Sequence, residues 1–378
     1  MRITALFLFT LLVVGRGVSQ DSLDIKIGQM IMVGIKDYYD MSERRDFLES
    51  VKNNRVGGLI LYEKNLLPVN TPEELAAMNL EIIDNAQIPL FISIDEEGGR
   101  VNRLKEKYGF PATYSAEEIA GMENLDSTYF YAEKTAETLS KYGINVNYAP
   151  VVDVNINPGN PVIGKLGRSY SGDYREVIKH AKKFLRAHHA HHVATTLKHF
   201  PGHGSSADDT HLGIADVSDS WRLEELYPYQ VLIDSGEVTG IMTAHIVNKT
   251  LDESMLPATL SKKIIQGVLR EFLGFDGVVF SDDMHMGAIS QHYGFEEAVV
   301  LAINAGVDVL LFSNNVFDYQ LTTADELHAL IKKKIDEGEI SIDRVDQSYR
   351  RIMSLKKSLG LLDEDYQKEM KRRLKKLN

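Results

Sequence analysis

Cysteine is absent from this 378-residue chain, which excludes a disulfide framework, a thiolate nucleophile and a lipid anchor on sulfur. Positive charge is also in short supply. The formal net charge of -12 disfavours nucleic acid and anionic membrane surfaces as partners, though not a neutral substrate. No Gly-x-Gly-x-x-Gly follows the first apolar run, which argues against a dinucleotide-binding fold. Pro/Gly/Ser-rich linkers and short repeats are missing too, so one domain is the simpler organisation. The apolar run near the start, Ile3 to Val14, falls well short of the ~20 residues that span a bilayer.

That opening run has another use. Arg2 precedes it, and Gly17 and Ser19 provide small residues for a cut near Gln20. Residues 1–19 are therefore expected to be a cleaved signal peptide, giving an exported protein, periplasmic or secreted, with no stable membrane insertion afterwards. Residues 20–360 are expected to form the globular unit, and 361–378 a basic helical tail with a solvated, frayed end.

Eight short apolar runs follow, at 27–35, 57–63, 88–99, 144–155, 193–200, 240–247, 277–284 and 307–314. Amphipathic segments separate them, among them 71–86, 174–190 and 261–274. Near-continuous apolar strands, each followed by a helix, imply a parallel sheet covered on both faces. Eight such units predict an α/β fold, a single-domain (β/α)8 TIM-type barrel. In such a barrel the active site lies at the strand C-termini, and polar residues collect there. They are Asp95, Glu96, Glu97 and Arg100, then Asp153, then Lys198 and His199, His245, and Asp282 with Asp283.

Two stretches are dense in titratable groups. "RAHHAHH" holds His188, His189, His191 and His192 at the end of an amphipathic helix, where histidines also complement the helix dipole. "TLKHFPGHGSSADDTHLG" (196–213) carries three more histidines, a lysine and two aspartates, without zinc-type spacing. Metal binding is the weaker interpretation of both.

Cleaving a glycosidic bond needs one group at the anomeric carbon and another to protonate the leaving oxygen. Asp282 and Asp283 end a strand where side chains alternate, so only one can face the barrel mouth, or both cap the next helix. Asp209 lies two residues before His211, spaced either to pair with its imidazole as an acid/base or to form an Asx-turn.

"KHFPGHG", with "IDEEGGRVNRL", "APVVDVN", "GRSYS" and "FSDDM" in that order, resembles family 3 glycoside hydrolases, especially single-domain β-N-acetylglucosaminidases of peptidoglycan recycling. The resemblance covers about residues 25 to 355. It implies that Asp282 is the nucleophile of a retaining reaction, and that His211 is the acid/base with Asp209 as its partner. It further implies that Asp95, Arg103, Arg168, Lys198 and His199 hold the sugar, and that His203 and the glycines shape the loop. The expected substrate is a carbohydrate with terminal β-linked N-acetylglucosamine, and no metal or organic cofactor is implied. A phosphorylase using phosphate in place of water, and a sugar-binding barrel without catalysis, are the alternatives.

Overall fold

The computed structural model describes residues 22–67, 69–315 and 321–378, so the signal segment expected at 1–19 lies outside the described residues. Eight strands are parallel: β1 (Ile31–Gly34), β2 (Gly58–Leu61), β3 (Phe91–Ile94), β4 (Val146–Asn147), β5 (Ala194–Phe200), β6 (Gly240–Thr243), β7 (Val278–Phe280) and β8 (Leu310–Phe312). Their order is β8-β1-β2-β3-β4-β5-β6-β7. A parallel bridge between Phe280 and Val309 closes the ring. Every one of the eight predicted runs contains one barrel strand, and the fold is the (β/α)8 barrel.

The strands are mostly apolar because both faces are covered, and every residue of the eight is buried, including Lys198 and His199 of β5. A helix follows each strand, from Met41–Lys52 after β1 to Ala324–Asp336 after β8. One buried carboxylate fastens the closing seam. Asp308 accepts from Arg270 at 2.7 Å, Arg344 at 2.9 Å, Ser348 at 2.8 Å and the Val279 amide at 3.0 Å.

Three local departures have physical causes. The run at 27–35 begins as the end of a helix, Leu23–Gln29, capped by Ser22, and only then enters β1. Segment 261–274 winds as a π-helix over Lys263–Phe272, its last turn closed by Leu273 N donating to Val268 O at 2.9 Å. Its buried Ile264, Leu269 and Leu273 recur every four to five positions, a spacing that the wider turn brings onto one side.

The third departure corrects the expectation for the tail. Helix Glu364–Leu377 packs on helix Thr71–Asn85 instead of fraying. Leu374 is fully buried against Gly143, Lys371 pairs with Asp84 at 2.9 Å, and Arg373 donates to the Ser140 carbonyl at 2.5 Å. The basic residues form one face of an amphipathic helix whose other face completes the barrel's outer layer. Leu374→Ala should therefore cost about 2–4 kcal/mol in denaturant unfolding, as for a core leucine. A change within about 0.5 kcal/mol, typical of the surface, would contradict this packing.

Candidate active site

At the C-terminal ends of the strands the loops enclose a cavity of about 540 Å³. The eight residues to which the resemblance assigns chemistry or sugar binding all line it: Asp95, Arg103, Arg168, Lys198, His199, Asp209, His211 and Asp282. They come from the end of β5 and from the loops after β3, β4, β5 and β7, spread over more than 180 positions of the chain. Val101, Val162, Leu166, Met242 and Met286 supply apolar walls.

The floor is a buried ionic network. Lys198 ends β5 and is only 2% exposed; its Nζ lies 2.8 Å from Asp95 and 2.6 Å from Glu97. Glu97 also takes a two-pronged hydrogen bond from Arg168, at 2.8 and 2.7 Å. Burial alone would raise the Glu97 pKa, but Arg168 and Lys198 hold it far below the usual carboxylate range. Arg103 reaches Asp95 at 3.6 Å and lies over the Tyr62 ring. Glu97 was noted at a strand end but not selected for the site. Side-chain alternation after β3 turns residues 95 and 97 the same way, and that signal could have found it.

His199 is oriented by Asp153, in the loop after β4. Its Nδ1 is 2.7 Å from Asp153 Oδ2, while its amide donates to Oδ1 at 3.1 Å. Arg168 Nη2 stands 3.3 Å from His199 Nε2. A guanidinium can only donate, so Nε2 accepts and the ring proton sits on Nδ1 toward Asp153. Asp153 also receives the His203 amide at 2.8 Å, joining the loop after β4 to the start of the dense loop. Arg100, by contrast, is exposed and lies outside the cavity.

The two acids after β7 diverge. Asp283 spends its carboxylate on the Ser313 amide at 2.9 Å, the Ser313 hydroxyl and the His285 amide at 3.1 Å. Asp282 remains partly exposed to the cavity and accepts from the Asp283 amide at 2.8 Å. Burial would raise the Asp282 pKa, but His245, that amide and His211 together hold it below the ordinary aspartate value. It is thus an ionised carboxylate, and among the described residues no lysine or arginine forms a salt bridge with it. His245 is fully buried and faces the same junction, with Nε2 3.0 Å from the Asp283 carbonyl.

Asp209 satisfies both readings of its spacing. Its Oδ1 accepts the His211 amide at 2.9 Å, an Asx-turn, and lies 2.7 Å from His211 Nδ1. The loop needs glycine at its contacts. A Cβ on Gly204 would sit 1.7 Å from the Val154 carbonyl, and one on Gly287 would sit 2.8 Å from the His211 carbonyl. Glu225, fully buried, anchors the loop base by accepting the Gly204 amide at 2.9 Å and the Ser205 amide at 3.3 Å.

The histidine-rich run lies elsewhere. His188 is buried in the core, where burial lowers its pKa to about 3. Among the described residues no group of three or more His, Asp or Glu side chains is placed to hold a metal ion.

The chain matches the family model "Glycosyl hydrolase family 3 N terminal domain" over residues 22–355. It is 32% identical over 373 residues to β-hexosaminidase A of Pseudoalteromonas piscicida, covering 88% of this chain and 60% of that protein. Identity is also 32%, over 342 residues, to β-hexosaminidase LpqI of Mycobacterium tuberculosis, covering 88% and 82%. Among solved structures, a family 3 β-N-acetylglucosaminidase from Paenibacillus sp. FPU-7 superposes with a TM-score of 0.82 at 32% identity, over 95% of this chain and 69% of that one. M. tuberculosis LpqI does so with a TM-score of 0.76 at 32% identity, over 89% and 94%.

Burial, reinforced by the Asp153 carboxylate, raises Glu225 to about 7 against the pull of hydrogen bonds from Ser205 and nearby amides. For an acid with a raised folded pKa, the stabilising contribution is complete below the unfolded value, about 4.5, and is lost as pH climbs to about 7. Wild-type unfolding free energy should therefore fall more steeply between about pH 5 and 7.5 than that of Glu225→Gln. Equal slopes in parallel denaturant titrations would contradict the assignment.

Proposed function

The chain belongs to glycosyl hydrolase family 3, and on that premise we propose that it is a retaining exo-β-N-acetylglucosaminidase. The observation that carries this is the pairing, in one cavity, of an ionised Asp282 with the Asp209–His211 dyad.

In the first step the Asp282 carboxylate attacks the anomeric carbon of a terminal N-acetylglucosamine. The glycosidic C–O bond breaks as His211 Nε2 gives its proton to the leaving oxygen, with Asp209 holding Nδ1. In the second, His211 takes a proton from water, the oxygen of that water attacks the same carbon, and Asp282 leaves. Net retention follows from two displacements.

The gradient of exposure supports exo action. Lys198 at the floor is 2% exposed, whereas the His211 side chain is 63% exposed. A sugar ring pushed to the floor is gripped by fixed charges, with its leaving group toward solvent. Lys198, Arg168 and Arg103 offer donors to ring hydroxyls, while Asp95 accepts from them. Two of the similar proteins are named β-hexosaminidases, and the Paenibacillus structure is described as a β-N-acetylglucosaminidase, which supports the choice of sugar. With export as expected from residues 1–19, the substrates would be peptidoglycan fragments or related oligosaccharides outside the inner membrane.

The test is release of a nitrophenol from its β-N-acetylglucosaminide, beside the matching β-glucoside, with and without phosphate. Turnover of the first only, indifferent to phosphate, is expected; sugar 1-phosphate as product would select phosphorolysis instead. Asp282→Ala should lose at least about 10³-fold in kcat while unfolding at the wild-type temperature. His211→Ala should lose about 10²–10⁴-fold on a sugar aglycone, and less on nitrophenyl, which leaves without protonation. Equal losses on the two leaving groups would remove His211 from the acid role.

A further inference from the structure

Glu96 lies between the two carboxylates that bind Lys198, yet its own side chain turns away from the cavity. Its Oε2 accepts the Arg103 amide at 2.9 Å and the Leu104 amide at 3.1 Å, so it sets the start of the Arg103 side chain. Its backbone is held at both polar atoms by one side chain. Asn147, at the end of β4 and fully buried, accepts the Glu96 amide on Oδ1 at 3.0 Å and donates from Nδ2 to the Glu96 carbonyl at 3.1 Å.

An amide making this clamp has one further Nδ2 hydrogen to place, and here His188 receives it. His188 Nε2 lies 3.0 Å from Asn147 Nδ2, and His188 Nδ1 lies 3.1 Å from the Phe184 carbonyl. A carbonyl only accepts, so the ring hydrogen is on Nδ1 and the Nε2 lone pair faces Asn147. The ring is stacked on Phe184, 4.1 Å between centroids and 18° from parallel, so it cannot turn to offer another edge. The lone pair therefore dictates which edge of the Asn147 amide carries nitrogen, and that orientation is the one the Glu96 backbone requires.

We infer that His188 is a positioning residue for the sugar site, acting through Asn147 on the Glu96 backbone and so on the aim of Asp95 and Glu97. This rests on the function proposed above for that cavity. Burial lowers the His188 pKa, keeping the ring a neutral acceptor at ordinary pH. Loss of the acceptor leaves a buried amide hydrogen unpaired; the cheapest relief is rotation of Asn147, which breaks its clamp on Glu96.

His188→Leu removes the acceptor, and His188→Gln restores one. On the chromogenic β-N-acetylglucosaminide, KM is expected to rise about 10-fold in the leucine variant, with kcat within about 3-fold of wild type, because the floor that grips the sugar is misaimed while Asp282 and His211 are untouched. Glutamine should recover most of the loss. A lowered unfolding temperature with unchanged KM would reduce His188 to a packing role and overturn the inference. If leucine prevents folding, His188→Phe serves, since it keeps a ring to stack on Phe184 but offers Asn147 no acceptor. Amide hydrogen exchange gives a readout that does not depend on turnover. Exchange should quicken at Glu96, Arg103 and Leu104 and stay unchanged in β6 and β7. Uniform quickening across the barrel, or none at those three amides, would equally refute it. Failure of wild-type turnover would instead strike the function, leaving the exchange experiment to judge the positioning.

Discussion

A lysine ammonium removed from water needs anions around it, and Lys198 is 2% exposed. Asp95 and Glu97 meet that need from the end of β3, and Glu97 in turn meets the Arg168 guanidinium. Two cations and two carboxylates thus bind the exits of β3 and β5 and the loop after β4 into one rigid patch. An apolar barrel would close without it. What the network adds is a floor of fixed donors and acceptors whose charges are already neutralised among themselves, the arrangement that the proposed sugar binding requires.

The rest of the cavity is arranged around that floor. Asp153 holds His199 and the His203 amide, so the loop after β4 sets the start of the 199–211 loop. Glu225 grips the loop at Gly204 and Ser205, and the Asx-turn at Asp209 turns its far end toward Asp282. On the opposite wall the Asp283 carboxylate is tied to Ser313 and His285, which leaves Asp282 as the acid whose carboxylate is free for the proposed chemistry. Adjacent aspartates on one strand end thereby acquire different tasks. One fastens β7 to β8, and the other is held below the ordinary aspartate pKa by histidines and an amide, with no salt-bridge partner among the described residues, which suits it to the nucleophile's part proposed above.

Much of this was legible in the chain. The apolar runs located all eight strands, because strands buried on both faces are nearly continuous in aliphatic residues. The polar strand ends marked the face of the barrel that carries the cavity, and every site residue implied by the resemblance lies in it. Other features depend on tertiary contacts. Alternation cannot tell Asp282 from Asp283 when the loop beyond them bends; Ser313, thirty residues away, decides it. Glu225 and Asn147 look like ordinary members of a helical turn and a strand, and become important only through the backbone amides they meet. The charged tail resembled a solvated end because its packing partners, Gly143 and helix Thr71–Asn85, lie more than 200 residues away in the chain.

The central claim is that Asp282 forms a covalent bond to the sugar. It is tested most directly by incubating the protein with a fluorinated N-acetylglucosaminyl donor that reacts but deglycosylates slowly, then digesting it and sequencing the labelled peptide by mass spectrometry. The account predicts one sugar per chain, on Asp282 within the segment "FSDDM". A label on Asp283, or no label from a donor that is nonetheless turned over with inversion, would contradict it.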